Sequence, residues 1–292
     1  MSAERGGVTP IDGALLAHLP LPSVTGSKDT RGRVVVVGGA RATVGAAMLT
    51  GIAALRVGAG RLTVVVEETV AGPAAVSVLE AGVLTWTQEH GCDDEARDEL
   101  AGAHAVVVGP GLADPEHSLR LLRQVVEAVD DETPLLLDAF ALGVLADADD
   151  LQDRVRGRAV LTPNGAELDR LLGDDRPDDE RAAAALLARR LDAVVVAASA
   201  VAAPSGEVWA GDLATPGLGT SGSGDVLAGA VAGLLAAGLP REEAAVWGVA
   251  LHTGAGAQLA LEHGAVGYLA REVADALPGA RQRLAAAAHA HG

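Results

Sequence analysis

Six short runs of β-branched and aliphatic residues constrain the fold of this chain most strongly. None of them alternates apolar with polar residues, so each is expected to be buried on both faces, as the strands of a parallel sheet are. The runs are RVVVVGG from Arg33, RLTVVVE from Arg61, AVVVGPG from Ala105, PLLLDA from Pro134, AVLTPN from Ala159 and AVVVAAS from Ala193. Parallel strands need long connections that cross the sheet, so helices must lie between the runs.

The segments between these runs have helical patterns. Helices are expected to begin near Val44, Pro115, Asp178 and Ser223, and the chain after Leu239 is helical in pattern. Strands that alternate with helices in this way predict right-handed crossovers and a doubly wound sheet with helices on both faces. We expect a single α/β domain over residues 1–292, with an N-terminal extension over 1–27 and a frayed tail over 280–292.

Composition excludes several classes of protein. The 292 residues include 39 acidic and 22 basic side chains, a formal net charge of −17 that opposes binding to nucleic acid and to anionic membranes. No apolar stretch approaches the roughly 18 residues that a membrane span needs. The N-terminus lacks the pattern of a signal peptide, and Cys92, the single cysteine, cannot form an internal disulfide. We therefore expect a cytoplasmic protein that binds neither nucleic acid nor membrane.

The turns that follow the predicted strands are the first places to look for a ligand site. In open α/β sheets, ligands bind beyond the carboxyl ends of the strands. Four such turns are rich in glycine or polar residues: GGARATVGAA after the first strand, GPGLADP after the third, LDAFAL at the end of the fourth and TPNGAE at the end of the fifth. Asp138, in the LDAFAL segment, either faces a ligand at this edge or bonds a backbone turn.

The segment TSGSGDVLAG, residues 220–229, predicts an anion site at the start of a helix. Gly222 and Gly224 would let backbone N–H groups converge on a phosphate. Asp225 follows in the first helical turn, where the helix dipole favours its ionised form, so we expect a carboxylate at neutral pH that can accept a proton from a hydroxyl. The alternative is that Asp225 caps its helix and the glycines form a tight turn. Together these features favour phosphoryl transfer, and the absence of a GxxxxGK motif excludes an ordinary P-loop kinase.

Five segments in this order resemble the ribokinase-like superfamily, and specifically its ADP/ATP-dependent NAD(P)H-hydrate dehydratase family. They are KDTRGRVVVVGG, VVGPGL, LLDAFAL, TPNGAE and TSGSGD, and the resemblance extends from about Ser27 to about Pro278. It implies a three-layer α/β/α fold with a mostly parallel central sheet. It also implies a repair reaction, in which a nucleotide phosphorylates the hydroxyl of hydrated NAD(P)H and loss of phosphate restores the nicotinamide cofactor.

The resemblance implies roles for individual residues. Asp225 would be the catalytic base and would contact the substrate, and Gly224 would contribute to an anion hole. Ala46 and Gly111 would contact the hydrated dinucleotide. The nucleotide, ADP or ATP, would be bound by Gly222, Ser223, Gly224 and Ser199.

A magnesium ion is the second cofactor that the resemblance implies. Glu167 would lie near Mg²⁺ and would bind it through water, since carboxylates and water are the ligands that this hard cation prefers. The alternative role for Glu167 is a helix N-terminal acid that stabilises the helix dipole.

The chain departs from the family pattern in three places. Asn164 stands where the family has histidine, and as an uncharged donor and acceptor it would contact the substrate differently. The NGAE segment that contains it favours an alternative function, a sugar or vitamin-precursor kinase of the same fold. The KGxxT-like run of the family is replaced by VVVAASAVAAPSG, in which Ser199 would partly substitute. A catalytically silent nucleotide-binding relative is therefore a third hypothesis. Lys28 stands in SKD rather than HKG and is either the family lysine or an exposed loop residue.

Three further expectations concern His252 and the partners of the protein. His252 is expected to be a packed histidine rather than a ligand, because its neighbours lack metal-ligand spacing. Fewer than forty residues precede the first predicted strand, so any NAD(P)H-hydrate epimerase is expected to be a separate chain. The resemblance suggests a homo-oligomer. The sequence leaves ADP or ATP, and NADH hydrate or NADPH hydrate, open.

Overall fold

The computed structural model of the protein describes residues 7–22, 27–211 and 215–290. The strands are β1 (Val8–Pro10), β2 (Arg33–Val37), β3 (Arg61–Glu67), β4 (Ala81–Thr87), β5 (Gly91–Cys92), β6 (Ala105–Val108), β7 (Leu135–Leu137), β8 (Ala159–Leu161), β9 (Val194–Ala197), β10 (Ala200–Ala202) and β11 (Val208–Ala210). The α-helices are α1 (Gly13–Ala17), α2 (Val44–Val57), α3 (Ala71–Ser77), α4 (Asp94–Ala101), α5 (Pro115–Ala128), α6 (Phe140–Leu145), α7 (Asp149–Val155), α8 (Gly165–Leu172), α9 (Glu180–Leu191), α10 (Ser223–Ala236), α11 (Arg241–His263) and α12 (Ala270–His289).

The described strands form one sheet in the order β1-β11-β10-β9-β8-β7-β6-β2-β3-β4-β5. The seven strands from β9 to β4 in this order are parallel to one another. Strands β5 and β10 run antiparallel to the strands beside them. The chain order changes direction at β2, which has β3 on one side and β6 on the other. This switch point is where an open α/β sheet forms a crevice for ligands.

Both faces of the sheet are covered, as the unbroken apolar runs predict. In β2, Val34 and Val36 pack into one core cluster with α2, α10, α11 and α12. Val35 and Val37 pack into the other, which includes residues of α4, α5, α6, α8 and α9. The expectation of a three-layer α/β/α fold with a mostly parallel central sheet is therefore confirmed.

The ends of the chain differ from the sequence-based expectation. β1 lies within the predicted N-terminal extension and pairs in parallel with β11, with Val8 opposite Val208. The tail predicted to fray is helical as far as His289, where Ala280 and Ala288 are buried against the core. Packing, rather than the composition of the tail, therefore determines its structure. In the part of the chain that the structure describes, no helix combines the length and the apolarity needed to cross a bilayer.

Candidate active site

The switch point between β2 and β6 brings together Ala46 and Gly111, the two residues that the resemblance assigns to substrate binding. Gly111 follows β6 with a φ of +72°, and a Cβ added there would lie 3.2 Å from the Cβ of Ala46. The Thr43 hydroxyl donates to the Gly111 carbonyl at 2.7 Å, which ties the two loops together. The substitution of any larger residue for Gly111 would therefore disturb this corner of the site.

The turn before Asp225 lies against the same helix, α2. Gly222 is the N-cap of α10 with a φ of +88°, and a Cβ added there would lie 2.7 Å from Cδ1 of Leu49, one turn after Ala46. Gly222 offers no side chain to cap α10, so the first-turn N–H groups are not satisfied by a capping side chain. The space beyond Gly224 is open, with no atom within 4 Å of an added Cβ. Uncapped amides beside open space can bind an anion such as a phosphate.

Ser223 and His252 pack together beneath this turn. The Ser223 hydroxyl lies 2.9 Å from Nε2 of His252, and the Ser223 amide donates to the Thr220 carbonyl at 3.2 Å. Both side chains are buried, and burial lowers the pKa of His252 to about 4, so the imidazole is neutral. The expectation that His252 is a packed histidine is confirmed. The nucleotide contact expected of Ser223 stays a prediction, and its hydroxyl and its amide both have partners within the protein.

The protonation state of Asp225 differs from the sequence-based expectation. Burial, followed by the negative charge of Asp138, raises its pKa from 3.8 to about 7. The expectation of a fully ionised carboxylate at neutral pH is therefore wrong, since desolvation and charge repulsion outweigh the helix dipole. Near pH 7 the Asp225 carboxyl has both protonated and ionised forms, which suits a group that accepts and releases a proton.

Asp138 is the residue of this site that sequence reasoning left undecided. It follows β7, is buried, and its Oδ1 accepts from the Thr162 hydroxyl at 2.8 Å. The next residue, Ala139, has a φ of +47°, an uncommon conformation for a residue with a side chain. Burial raises the pKa of Asp138, and its charge raises the pKa values of Asp225 and Glu167. The three carboxyl groups therefore share one electrostatic environment.

Asn164 and Glu167 form a reciprocal cap at the start of α8. The Glu167 amide donates to Asn164 Oδ1 at 3.0 Å, and the Asn164 amide donates to Glu167 Oε2 at 2.9 Å. The helix-terminal role that the sequence offered as the alternative for Glu167 is thus present. Burial is the main cause that raises the pKa of the Glu167 carboxyl.

Carboxyl groups at the carboxyl ends of the strands are potential ligands for Mg²⁺. Among residues 7–22, 27–211 and 215–290, no group of three or more histidine, cysteine or acidic side chains is arranged to hold a metal ion. Mg²⁺ usually binds through one or two carboxylates, several waters and the phosphates of its substrate. The charge of Asp138 disfavours the ionised form of Glu167, and a nearby cation would relieve that repulsion. Asp138 and Glu167 therefore fit a water-rich Mg²⁺ site.

Ser199 and Lys28 lie at opposite edges of the sheet. Ser199 is in the turn after β9, at the edge that also carries Asn164, and its carbonyl accepts from the Gly211 amide at 2.9 Å. The backbone of Lys28 lies beside Gly60, just before β3, and the residue is exposed. Lys28 is therefore the exposed loop lysine that the sequence offered as an alternative, away from Asp225.

The fold and the site define a class of protein. The molecule is a doubly wound α/β protein whose polar site lies at the carboxyl edge of its strands, with a carboxyl group at the start of a glycine-led helix. A family model described as NAD(P)H-hydrate dehydratase matches residues 34–279. The ADP-dependent (S)-NAD(P)H-hydrate dehydratase of Xanthomonas campestris is 38% identical over 95% of this chain and 97% of its own length. The chain belongs to the NAD(P)H-hydrate dehydratase family.

Other relatives are longer, and solved structures share the fold. A bifunctional NAD(P)H-hydrate repair enzyme of Salinibacter ruber is 38% identical over 71% of this chain, which spans 41% of that protein. A ribokinase-like superfamily protein of Enterococcus faecalis has a TM-score of 0.83 and 25% identity, covering 98% of this chain and 99% of that one. The ADP/ATP-dependent NAD(P)H-hydrate dehydratase of Bacillus subtilis, co-crystallised with ATP and Mg²⁺, has a TM-score of 0.78 and 25% identity, covering 97% and 100%. The expected ribokinase-like fold is confirmed.

Proposed function

We propose that this protein dehydrates NAD(P)H hydrate, with ADP or ATP as phosphoryl donor, and thereby repairs the nicotinamide cofactor. The observation that carries the proposal is the position of Asp225. Its carboxyl group begins α10 behind an uncapped, glycine-led turn, and that turn packs on the same helix as Ala46. The name of the Xanthomonas relative supports ADP as the donor, and the ATP and Mg²⁺ in the Bacillus crystals support ATP.

In this proposal Asp225 acts in its ionised form as the general base. It accepts the proton of the substrate hydroxyl while the hydroxyl oxygen attacks the terminal phosphorus of the nucleotide. A new O–P bond forms, and the bond from phosphorus to the leaving nucleotide breaks. The C–O bond of this phosphate ester then breaks, and inorganic phosphate leaves with its electrons. Loss of a proton from the adjacent carbon restores the double bond of the nicotinamide ring.

Other residues bind and orient the two substrates. The uncapped amides after Gly222, including that of Gly224, bind the nucleotide phosphates, and Ser199 lies at the same edge of the sheet. Ala46 and Gly111 contact the hydrated dinucleotide. Asn164, whose side-chain oxygen accepts in the cap of α8, also contacts the substrate.

Mg²⁺, bound through water beside Asp138 and Glu167, would neutralise phosphate charge. The two carboxylates would hold the ion through its water ligands, and the ion would supply positive charge next to the phosphates. This role is distinct from that of Asp225, which moves a proton.

A single assay tests the proposal. The protein is incubated with hydrated NADH, Mg²⁺ and either ADP or ATP, and the return of NADH is followed by its absorbance. We expect recovery with at least one nucleotide and its loss in Asp225→Asn. Asp98→Asn, on the exposed face of α4, is the matched control and should retain activity. Absence of recovery with both nucleotides, or full recovery in Asp225→Asn, would contradict the proposal.

One observation keeps a small-molecule kinase as a second candidate. The cap formed by Asn164 and Glu167 is the structure that the NGAE segment builds, and that segment favours the sugar and vitamin-precursor kinases. Nucleotide consumption with a sugar or vitamin-precursor alcohol, in a preparation that does not restore NADH, would favour this second candidate. Nucleotide binding without consumption in either assay would instead favour the catalytically silent relative.

The proposed function also implies a protein partner. An NAD(P)H-hydrate epimerase would supply the substrate epimer, and the name of the bifunctional repair enzyme among the relatives supports this link. A homo-oligomer and a cytoplasmic location stay predictions. Sedimentation at several protein concentrations tests the first of them.

A further inference from the structure

A cavity lies at the amino-terminal ends of the strands, on the opposite side of the sheet from the strand ends that carry the Asp225 site. Its volume is about 610 Å³, within the range of small-molecule sites. It is formed by the residues immediately before β6, β7 and β8 and by the turn from α10 to α11. We call it the amino-edge cavity. Three arginines line it: Arg156, Arg158 and Arg241.

These three arginines lack carboxylate partners in a chain that has many carboxylates. Among the described residues, eight other arginines lie within 4.0 Å of an acidic side chain. Arg156, Arg158 and Arg241 form no such pair there, although the chain has 39 acidic residues against 22 basic ones. Arg156 is exposed and donates to the Arg190 carbonyl at 2.8 Å, so within the described residues the guanidinium groups of this cavity that lack both a carboxylate and a full set of acceptors are those of Arg158 and Arg241. Guanidinium groups in this position can bind an anion such as a phosphate.

The guanidinium groups of Arg158 and Arg241 have donors that the protein does not satisfy. Arg158 is 6% exposed; its Nη1 donates to the Asp130 carbonyl at 2.7 Å and its Nε to the Arg154 carbonyl at 3.1 Å. Its Nη2 is buried and has no acceptor in the described part of the chain, and the same holds for Nη1 of Arg241. Buried donors are nearly always satisfied in folded proteins, so these two indicate a missing acceptor. Burial lowers the pKa of Arg158, and the charges of Asp131 and Glu132 oppose this effect.

Acidic side chains at the same cavity restrict the kind of anion. Asp131, Glu132 and Glu242 also line it, so its formal charge is balanced rather than strongly positive. A simple anion would meet the arginines and be repelled by the carboxylates. A ligand with phosphate oxygens for the arginines and hydroxyl groups that donate to the carboxylates would satisfy both sets.

We propose that the amino-edge cavity binds a sugar phosphate, whose phosphate contacts Arg156, Arg158 and Arg241 and whose hydroxyls contact the carboxylates. The ribose phosphate unit is common to free sugar phosphates and to nucleotides, and the cavity is large enough to hold it. This site is separate from the Asp225 edge, and its existence does not depend on the dehydratase activity.

Calorimetric titration of the whole protein tests the proposal, with ribose 5-phosphate and AMP as probes and inorganic phosphate as the comparison. Arg158→Gln carries a risk of misfolding, because the buried Arg158 side chain donates to two backbone carbonyls, so the test variant is Arg156→Gln with Arg241→Gln. The exposed Arg189→Gln is the matched control. Gly224→Ala alters the Asp225 site, so a loss of binding in this variant shows that the probe binds at that site and not in the amino-edge cavity. Melting temperatures confirm that each variant is folded.

We expect ribose 5-phosphate to bind the wild type, Arg189→Gln and Gly224→Ala alike, and to bind the double variant at least tenfold more weakly. Loss of AMP binding in the double variant would extend the site to nucleotides, whereas AMP binding lost only in Gly224→Ala would restrict the cavity to free sugar phosphates. Binding of ribose 5-phosphate that is unchanged in the double variant, or no binding to the wild type, would overturn the proposal. Equal affinity for inorganic phosphate and ribose 5-phosphate would overturn the part of it that assigns the hydroxyls.

Discussion

Replacing Asp225 by asparagine should abolish activity and yet stabilise the protein. The carboxyl has a pKa of 3.8 in the unfolded chain and about 7 in the folded one. At about 1.4 kcal/mol per pH unit, this difference sets an upper bound of about 4 kcal/mol on the cost of the ionised carboxylate. Asp225 is only half-buried, so solvent screening reduces the expected cost to about 1–2 kcal/mol. The amide of asparagine has the same shape and no charge, so this cost disappears.

The sign of the pH dependence follows from the direction of the pKa change. Because the folded pKa is raised, the native state binds more protons than the unfolded state between about pH 4 and pH 7, and stability falls as pH rises through that window. The advantage of Asp225→Asn should therefore be full above about pH 7 and shrink towards zero near pH 4.

Urea unfolding at about pH 8 and about pH 5.5 measures this difference. We expect Asp225→Asn to be more stable by about 1–2 kcal/mol at the higher pH and by about half as much at the lower one. Asp98→Asn should change the free energy of unfolding by less than about 0.5 kcal/mol at both. Equal stability of Asp225→Asn and the wild type at about pH 8 would refute the argument that burial and Asp138 oppose ionisation of Asp225.

Three further predictions concern the same edge of the sheet. In the wild type, kcat/KM should fall about tenfold per pH unit below about pH 7, because protonated Asp225 cannot accept the substrate proton; a flat profile between about pH 6 and pH 8 would contradict this. Gly222→Ala should lower the free energy of unfolding by about 1–3 kcal/mol in a urea titration, because its methyl group would lie 2.7 Å from an α2 side chain and its φ is positive. Gly224→Ala, which has open space around it, should leave the free energy of unfolding unchanged and weaken ADP binding in calorimetry. Thr162→Val should cost about 1–3 kcal/mol by the same titration, because it leaves the buried Asp138 carboxyl without its 2.8 Å bond.

Much of the sheet could be predicted from the sequence because six of its strands are buried on both faces. A buried parallel strand has an unbroken apolar run, and each of the six runs became a strand of the central sheet. β1 has no such signal, since its three residues are exposed and its partner, β11, lies far along the chain. The helical end of the chain escaped prediction for a related reason: its alanines pack on the core, and local composition does not record that contact.

The location of the candidate site was predictable, and its electrostatics were not. The carboxyl-edge rule needs only the order of strands and turns, so it correctly brought Ala46 and Gly111 together. The pKa of Asp225 depends on burial and on Asp138, which is distant in sequence. The packing of Ser223 on His252 is likewise a contact between two helices. Local motifs such as SGSGD therefore predict where a group lies better than they predict its charge.

If the proposed function holds, the same electrostatics would make nucleotide binding at this site depend on a cation. Asp138, Glu167 and Asp225 would place up to three negative charges where the phosphates of a nucleotide bind, and the chain's single lysine, Lys28, lies beside the opposite edge. Mg²⁺ is then needed to offset this repulsion, so we expect the affinity for ADP to fall at least about tenfold when a chelator removes the metal. Mg²⁺ would also act on Asp225 directly, because a nearby positive charge favours the ionised carboxylate and lowers its pKa. Calorimetry with and without the chelator measures the first effect, and equal ADP affinity in both would show that the three carboxyl groups do not act on the bound phosphates.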